Sequence, residues 1–233
     1  MSAGHKVLVT VPQTGWIHTE VCSTLLRMMA SPVDNVGEIV IEFPGHRPIE
    51  ASRSHTACKV RDGDYDWWVS IDDDNPPIKN PLELIQYDKD YIGLPTPCIS
   101  TGNGKANAAM WNVWEAYDFG CPLDKPIRRD STHDELPAYK TISPGVGLQQ
   151  VGAVGTGSFV LRASILKDIP DPFCSVYDPQ GRLICGSDLW FCRRLREKGF
   201  DIWTHWGYPC QHIKETDLRK FVAPIPEQVE TVT

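Results

Sequence analysis

Residues 65–77, YDWWVSIDDDNPP, decide how this chain is read. The apolar run from Tyr65 to Ile71 has the composition of a strand, and it leads straight into three consecutive aspartates, Asp72, Asp73 and Asp74. Two prolines behind Asn75 stiffen the way out of the turn. In an extended segment Asp72 and Asp74 fall on the same side. Two like charges held together call for a cation or a proton between them. A hard divalent ion such as Mg²⁺ or Mn²⁺ suits carboxylate ligands, above all where substrate phosphates fill its remaining positions. The plain alternative is an acidic turn facing water.

Outward from this strand, strands and helices alternate. KVLVTVP (6–12) reads as a buried first strand, and Ile17, Val21, Leu25 and Met28 then recur at the spacing of a helix lying on a sheet. EIVIEF (38–43) supplies a second strand, and a helix is expected over about 50–61. In NPLEL (80–84) Asn80 can cap, Pro81 suits the first helical position and Glu83 completes a capping box, so a helix is expected to start there. YIGLP (91–95) gives a fourth strand and GSFVLR (157–162) a later one. A helix from Ser187 or Asp188 to Lys198 stops at Gly199, before the short strand DIWTH (201–205). This order predicts an α/β fold with a mostly parallel central sheet flanked by helices. Residues 97–150 are less regular and gather Trp111, Trp114, Tyr117 and Phe119. A stretch of that length is expected to form part of a binding surface.

The 233 residues suffice for one large domain or two small ones, and their formal charge of −7 excludes a general basic field for a nucleic-acid backbone. The eight cysteines form no CxxC pair and are expected to be reduced and mostly buried, in a cytosolic compartment. MSAGHKVLVTVP breaks at Pro12 and fits a first strand better than a secretion signal, and no apolar window is long enough to cross a bilayer. The expected location is the cytoplasm of a bacterium, an archaeon or a virus-infected host cell.

A second group of polar residues lies in GSDLWFCRRLREKGFDIWTH (186–205) and the following GYPCQHI. Leu189, Cys192 and Leu195 line one face of its helix, with Arg193, Arg194, Arg196 and Glu197 as polar positions. Asp188 sits at the helix start, where the dipole favours an anion. It can serve as a cap, or as a general base that takes a proton from an attacking hydroxyl. His212 alone is weak evidence for a metal. Trp190 and Trp206 can offer flat faces to a sugar or base, and core packing is their plainer use.

Taken together these segments resemble the GT-A fold of nucleotide-sugar glycosyltransferases, family 2-like and carrying a DxD motif. VLVTVPQTGWIHTE looks like that family's first strand and helix, and DYDWWVSIDDDNPP like its third strand with the DxD. GTGSFVLRASILKDI is similar to the acceptor-side strand and helix, SDLWFCRRLREKGFDIWTH to the Asp-led helix, and QHI to a late metal-binding histidine. The resemblance implies a single GT-A-like catalytic domain over 1–213, with a nucleotide-binding half at 6–96, a mixed acceptor-side half at 97–213 and a tail at 214–233. It implies that Asp74, His212 and Asp72 hold Mn²⁺ or Mg²⁺ against the donor diphosphate, with Asp72 also near the ribose and Asp73 in the middle position. Thr10, Val11 and Pro12 would border the base, and Arg53 would contact the nucleotide. Asp188 would be the base of an inverting transfer, although Ser187 stands where many relatives have a glutamate. The implied donor is a nucleoside-diphosphate sugar, expected to be a UDP-sugar. The implied acceptor is a hydroxyl on a glycan or small molecule, soluble or delivered by a partner.

Three other readings compete. A nucleotidyltransferase would display a glycine-rich loop with a basic residue, which VPQTGW lacks. A glycosyltransferase acting on modified bases of viral DNA would need basic contacts, for which KPIRRD (125–130) and CRRLREK (192–198) are the candidates. A non-enzymatic metal- or nucleotide-binding module would leave the DxD and His212 without a shared ion.

Overall fold

The computed structural model describes residues 4–13, 15–45, 48–100, 108–117, 138–181 and 183–214. Seven strands form the central sheet: β1 (His5–Thr10), β2 (Val36–Glu42), β3 (Trp67–Ile71), β4 (Tyr91–Gly93), β5 (Leu148–Val151), β6 (Ser158–Arg162) and β7 (Ile202–His205). Their spatial order is β2-β1-β3-β6-β4-β7-β5. The pairs β1–β2, β1–β3 and β4–β7 are parallel, whereas β6 runs antiparallel to both β3 and β4, and β5 antiparallel to β7. The expected mostly parallel sheet is therefore a mixed one. A strand buried on both faces shows the same apolar run whichever way it points, so the reversed β6 leaves no mark in the alternation of elements.

Successive residues of each strand face opposite sides, and two cores result. On one face Leu8, Trp68, Tyr91, Phe159 and Leu161 pack with Ala57 and Val60 of α2 (Ile49–Asp62) and with Phe191 and Leu195 of α3 (Ser187–Glu197). Edge-to-face contacts knit this side together, with ring centroids 5.0 Å apart for Trp68–Phe159 and 5.2 Å for Tyr91–Phe191. On the other face Val7, Val9, Trp67, Val69 and Ile71 meet Val21, Leu25 and Met28 of α1 (Thr19–Ala30), on the apolar stripe that the sequence spacing predicts. Gly93 is required where β4 passes Val154, because a Cβ there would lie 2.2 Å from Val154 Cγ1.

The segment after Asn80 forms a 3-10 helix, Pro81–Tyr87, rather than an α-helix. Asn80 does cap it, accepting from the Leu82 amide. Glu83 instead accepts the Tyr208 hydroxyl at 2.6 Å, which takes away the second half of the expected capping box. The irregular 97–150 stretch contains short antiparallel ladders, Pro97–Ser100 with Ala108–Trp111 and Val113–Tyr117 with Ala138–Thr141. Trp111 and Trp206 are core residues, so neither offers the open face considered for Trp206. Phe119 lies outside the described residues, as do KPIRRD and the tail from 215. Among the described residues no helix is long and apolar enough to cross a membrane.

The carboxyl ends of β1, β3, β4 and β7 share one edge of the sheet with the amino end of the reversed β6, where Ser158 pairs with Ile71. In open α/β sheets ligands sit at such an edge.

Candidate functional site

Two stations occupy this edge. The first is built around Arg53, which α2 presents to the sheet on a buried side lined by Ser52, Thr56 and Ala57. Its Nη2 atom donates to both Asp72 carboxylate oxygens, at 2.7 and 2.8 Å, and to the Thr156 carbonyl at 2.8 Å. The arginine expected to touch a nucleotide is thus 4% exposed and paired with Asp72. Burial, with the charges of Asp74 and Asp188 adding to it against Arg53, pushes the Asp72 carboxyl up to about 6. Thr156 links this pair to Asp188, whose Oδ1 accepts the Thr156 hydroxyl at 2.6 Å and lies 3.8 Å from Arg53 Nη1. Among the described residues Oδ2 of Asp188 has no hydrogen-bond partner, and the side chain is 42% exposed. One oxygen is held and the other is open, the arrangement a proton acceptor needs.

The tight turn that brings Thr156 in depends on glycine. A Cβ on Gly157 would sit 2.3 Å from Asn75 Oδ1, and one on Gly155 would sit 2.1 Å from Asn112 Nδ2. The Gly157 carbonyl also receives the Asp72 amide at 2.8 Å, tying the acidic turn to β6.

The second station is stitched by backbone. Gln211 donates to the Pro76 carbonyl at 3.0 Å and Ile213 to the Asp74 carbonyl at 2.8 Å, so residues 211–213 lie against 74–76. Between these bonds His212 faces Asp74, with Nε2 at 3.6 Å from Oδ2. His212 Nδ1 lies 2.7 Å from the Pro97 carbonyl, an oxygen that can only accept. Nδ1 therefore carries the proton, and in the neutral ring the Nε2 lone pair points toward a carboxylate oxygen. A metal-binding histidine is usually oriented in this way, by its other nitrogen donating to a carbonyl. Lys214 Nζ also donates to Asp74 Oδ2. Burial opposes ionisation of Asp74, but its contacts with His212 and Lys214 outweigh it and hold the carboxyl below its ordinary range.

Among the described residues no group of three or more His, Cys, Asp and Glu is placed to hold a metal. Asp74 and His212 make a two-ligand set, which suits a hard divalent ion whose other positions are filled by phosphate and water. Asp72, expected to share the ion, is instead engaged by Arg53. Asp73 contributes its carbonyl to the His18 amide at 3.1 Å.

At the end of β1, Thr10, Val11 and Pro12 are all buried, and the Thr10 hydroxyl accepts from Trp68 Nε1 at 2.8 Å. These residues can border a base through their backbone and not through a free Thr10 hydroxyl. Of the α3 arginines, Arg193 is buried and both it and Arg194 pair with Glu197, while Arg196 is half-buried. Trp190 gives its ring N–H to the Asp171 carbonyl. Cys22 and Cys58 are exposed free thiols, contrary to the expectation of burial, whereas Cys185, Cys192 and Cys210 are buried. Cys121 lies outside the described residues. Thr156, Lys214 and the Pro97 carbonyl were not expected from the sequence. The short GTG segment at 155–157 is the signal that could have pointed to the first of them.

No family model and no curated protein matches the chain. Among solved structures, the crystal structure of A197 from STIV is similar over 98% of both chains, with a TM-score of 0.55 at 13% identity. That likeness shows a shared fold. HddC from Yersinia pseudotuberculosis, complexed with GMP-PN, covers 71% of this chain and 80% of its own, with a TM-score of 0.28 at 11% identity, too low to carry an argument.

Proposed function

We propose that the chain is a nucleotide-dependent transferase of GT-A-like fold that moves a sugar from a nucleoside-diphosphate donor to an acceptor hydroxyl. The observation that carries this reading is the orientation of His212, whose lone pair meets Asp74 at the same sheet edge as the half-open carboxylate of Asp188. Asp74 and His212 would hold a divalent cation, which when bound supplies positive charge where the leaving diphosphate becomes more negative. Asp188 Oδ2 would accept the proton of the acceptor hydroxyl as its oxygen forms the new bond to the anomeric carbon. The bond from that carbon to the diphosphate breaks with its electron pair on the diphosphate, and the attack from the opposite side inverts the centre. Arg53 and Thr156 orient the Asp188 side chain, and Asp72 balances the arginine that does so. Arg193 and Arg194 of α3 are committed to Glu197 and so are not free to contact a DNA acceptor.

The test is calorimetric titration of a panel of nucleoside diphosphates, with and without Mn²⁺, into wild type and Asp74→Ala. Binding of one nucleotide that needs Mn²⁺ and is lost in the variant is the expected result. Binding indifferent to both metal and Asp74, or no binding at all, overturns the reading. Product analysis with the matching donor then separates sugar transfer, which releases free nucleoside diphosphate, from nucleotidyl transfer, which releases pyrophosphate.

A further inference from the structure

We propose that Lys214 is a displaceable occupant of the cation position, so that its ammonium and a divalent ion compete for one oxygen, Oδ2 of Asp74. This rests on the reading of Asp74 and His212 as a cation site. Three observations carry it. The lysine ammonium and His212 Nε2 converge on that same oxygen, the first in hydrogen-bond contact and the second at 3.6 Å. The Asp74 side chain is only 12% exposed, and a carboxylate so enclosed calls for a positive group beside it. Lys214 supplies that group.

The two ligands and the lysine are held by different means. Asp74 and His212 are fixed by the backbone bonds from Ile213 to Asp74 and from Gln211 to Pro76 and by the Pro97 carbonyl, none of which involves the Lys214 side chain. Lys214 reaches the site on a flexible stem and is 59% exposed. Its departure would leave both ligands in place. The ammonium balances the Asp74 carboxylate, and it yields to a divalent ion, whose higher charge and coordination of both ligands a single ammonium cannot match. Once free of Oδ2, the same positive charge lies beside any phosphate bound at the site.

The experiment measures binding of Mn²⁺ alone, by electron paramagnetic resonance of the free ion, to wild type, Lys214→Gln, Lys214→Arg, Asp74→Asn and Lys79→Gln. Competition of this kind, at the strength of a largely exposed ion pair, corresponds to up to about five-fold. Lys214→Gln is expected to bind Mn²⁺ more tightly by that factor, and Lys214→Arg to stay near wild type. Lys79→Gln removes the same charge from a lysine that stands over the Tyr208 ring and not on Asp74, and is expected to change nothing. If Asp74→Asn abolishes binding while Lys214→Gln matches wild type or binds more weakly, the lysine's role is overturned and the cation site stands. An equal gain in Lys79→Gln also overturns it, since the effect is then one of net charge. If Asp74→Asn binds as wild type does, or no variant binds Mn²⁺, the cation site and the proposal fall together.

Discussion

Asp72 and Asp74 stand two residues apart on one turn, yet they belong to different regions with different rules. Asp72 is locked: both of its oxygens are on a buried arginine that is itself tied to Thr156 and set beside Asp188. Asp74 is exchangeable, with its partners a histidine at 3.6 Å and a lysine whose side chain is largely in water. The expected same-side spacing presumes an extended chain, whereas Asp72–Asn75 is a turn closed by the Asn75 amide on the Asp72 carbonyl at 3.0 Å, and the two carboxylates are not one ligand set. What separates them is the helix beside the sheet. α2 delivers a cation to the first position, and the strand-like return of residues 211–214 delivers a histidine and a second cation to the other.

The largest effect should come from breaking the locked side. Arg53→Leu leaves the Asp72 carboxylate beside a low-dielectric wall with no counter-charge, and loss of one member of a buried pair costs about 3–5 kcal/mol. Urea denaturation is the measurement. The double variant Arg53→Leu/Asp72→Asn, which removes both charges, should recover much of that loss. A cost below about 1 kcal/mol for the single variant would show that water reaches Asp72 and that the two stations are alike after all.

The sequence exposes these regions unequally. Strand β3, the amphipathic stripe of α1 and the helix that opens on Asp188 were all legible, because each follows from local periodicity and composition. The reversal of β6 was not, since a buried strand carries no sign of its direction. The resemblance implies that Arg53 contacts a nucleotide, and nothing within EASRSHTA shows that Asp72 and the GTG turn engage it instead. Glu83 illustrates the same limit: its spacing from Asn80 predicts a local capping partner, but Tyr208, distant in sequence, competes for its carboxylate and wins. Lys214 lies where the pattern of apolar residues has already ended, so its role depends wholly on the ladder that sets 211–213 against 74–76.

A smaller effect is expected on the exchangeable side. Asp74→Asn should change unfolding free energy by no more than about 1 kcal/mol, because the lysine it releases is already largely hydrated. Its effect on Mn²⁺-dependent nucleotide binding should nevertheless be complete. Equal destabilisation in Asp74→Asn and Arg53→Leu would erase the distinction between the two aspartates.

The smallest effect is a change in the reactivity of one thiol that neighbours both regions. Cys98 follows Pro97, whose carbonyl orients His212, and burial together with the negative charge of Asp188 pushes its thiol up to about 11. An acid whose ionised form is disfavoured stays protonated to higher pH, so alkylation of Cys98 should climb about tenfold per pH unit and level off only near that value. In Asp188→Asn the charge is gone while burial remains, and the thiol should ionise at lower pH, giving modestly faster alkylation at pH 8–9. Asp74→Asn should leave the rate as it is, because Asp74 does not contribute to the shift of Cys98. Mass-spectrometric counting of modified Cys98 peptide over time reads the difference directly. Faster alkylation in Asp74→Asn, with none in Asp188→Asn, would mean that the thiol reports on the cation station and that the division between the two aspartates has been drawn in the wrong place.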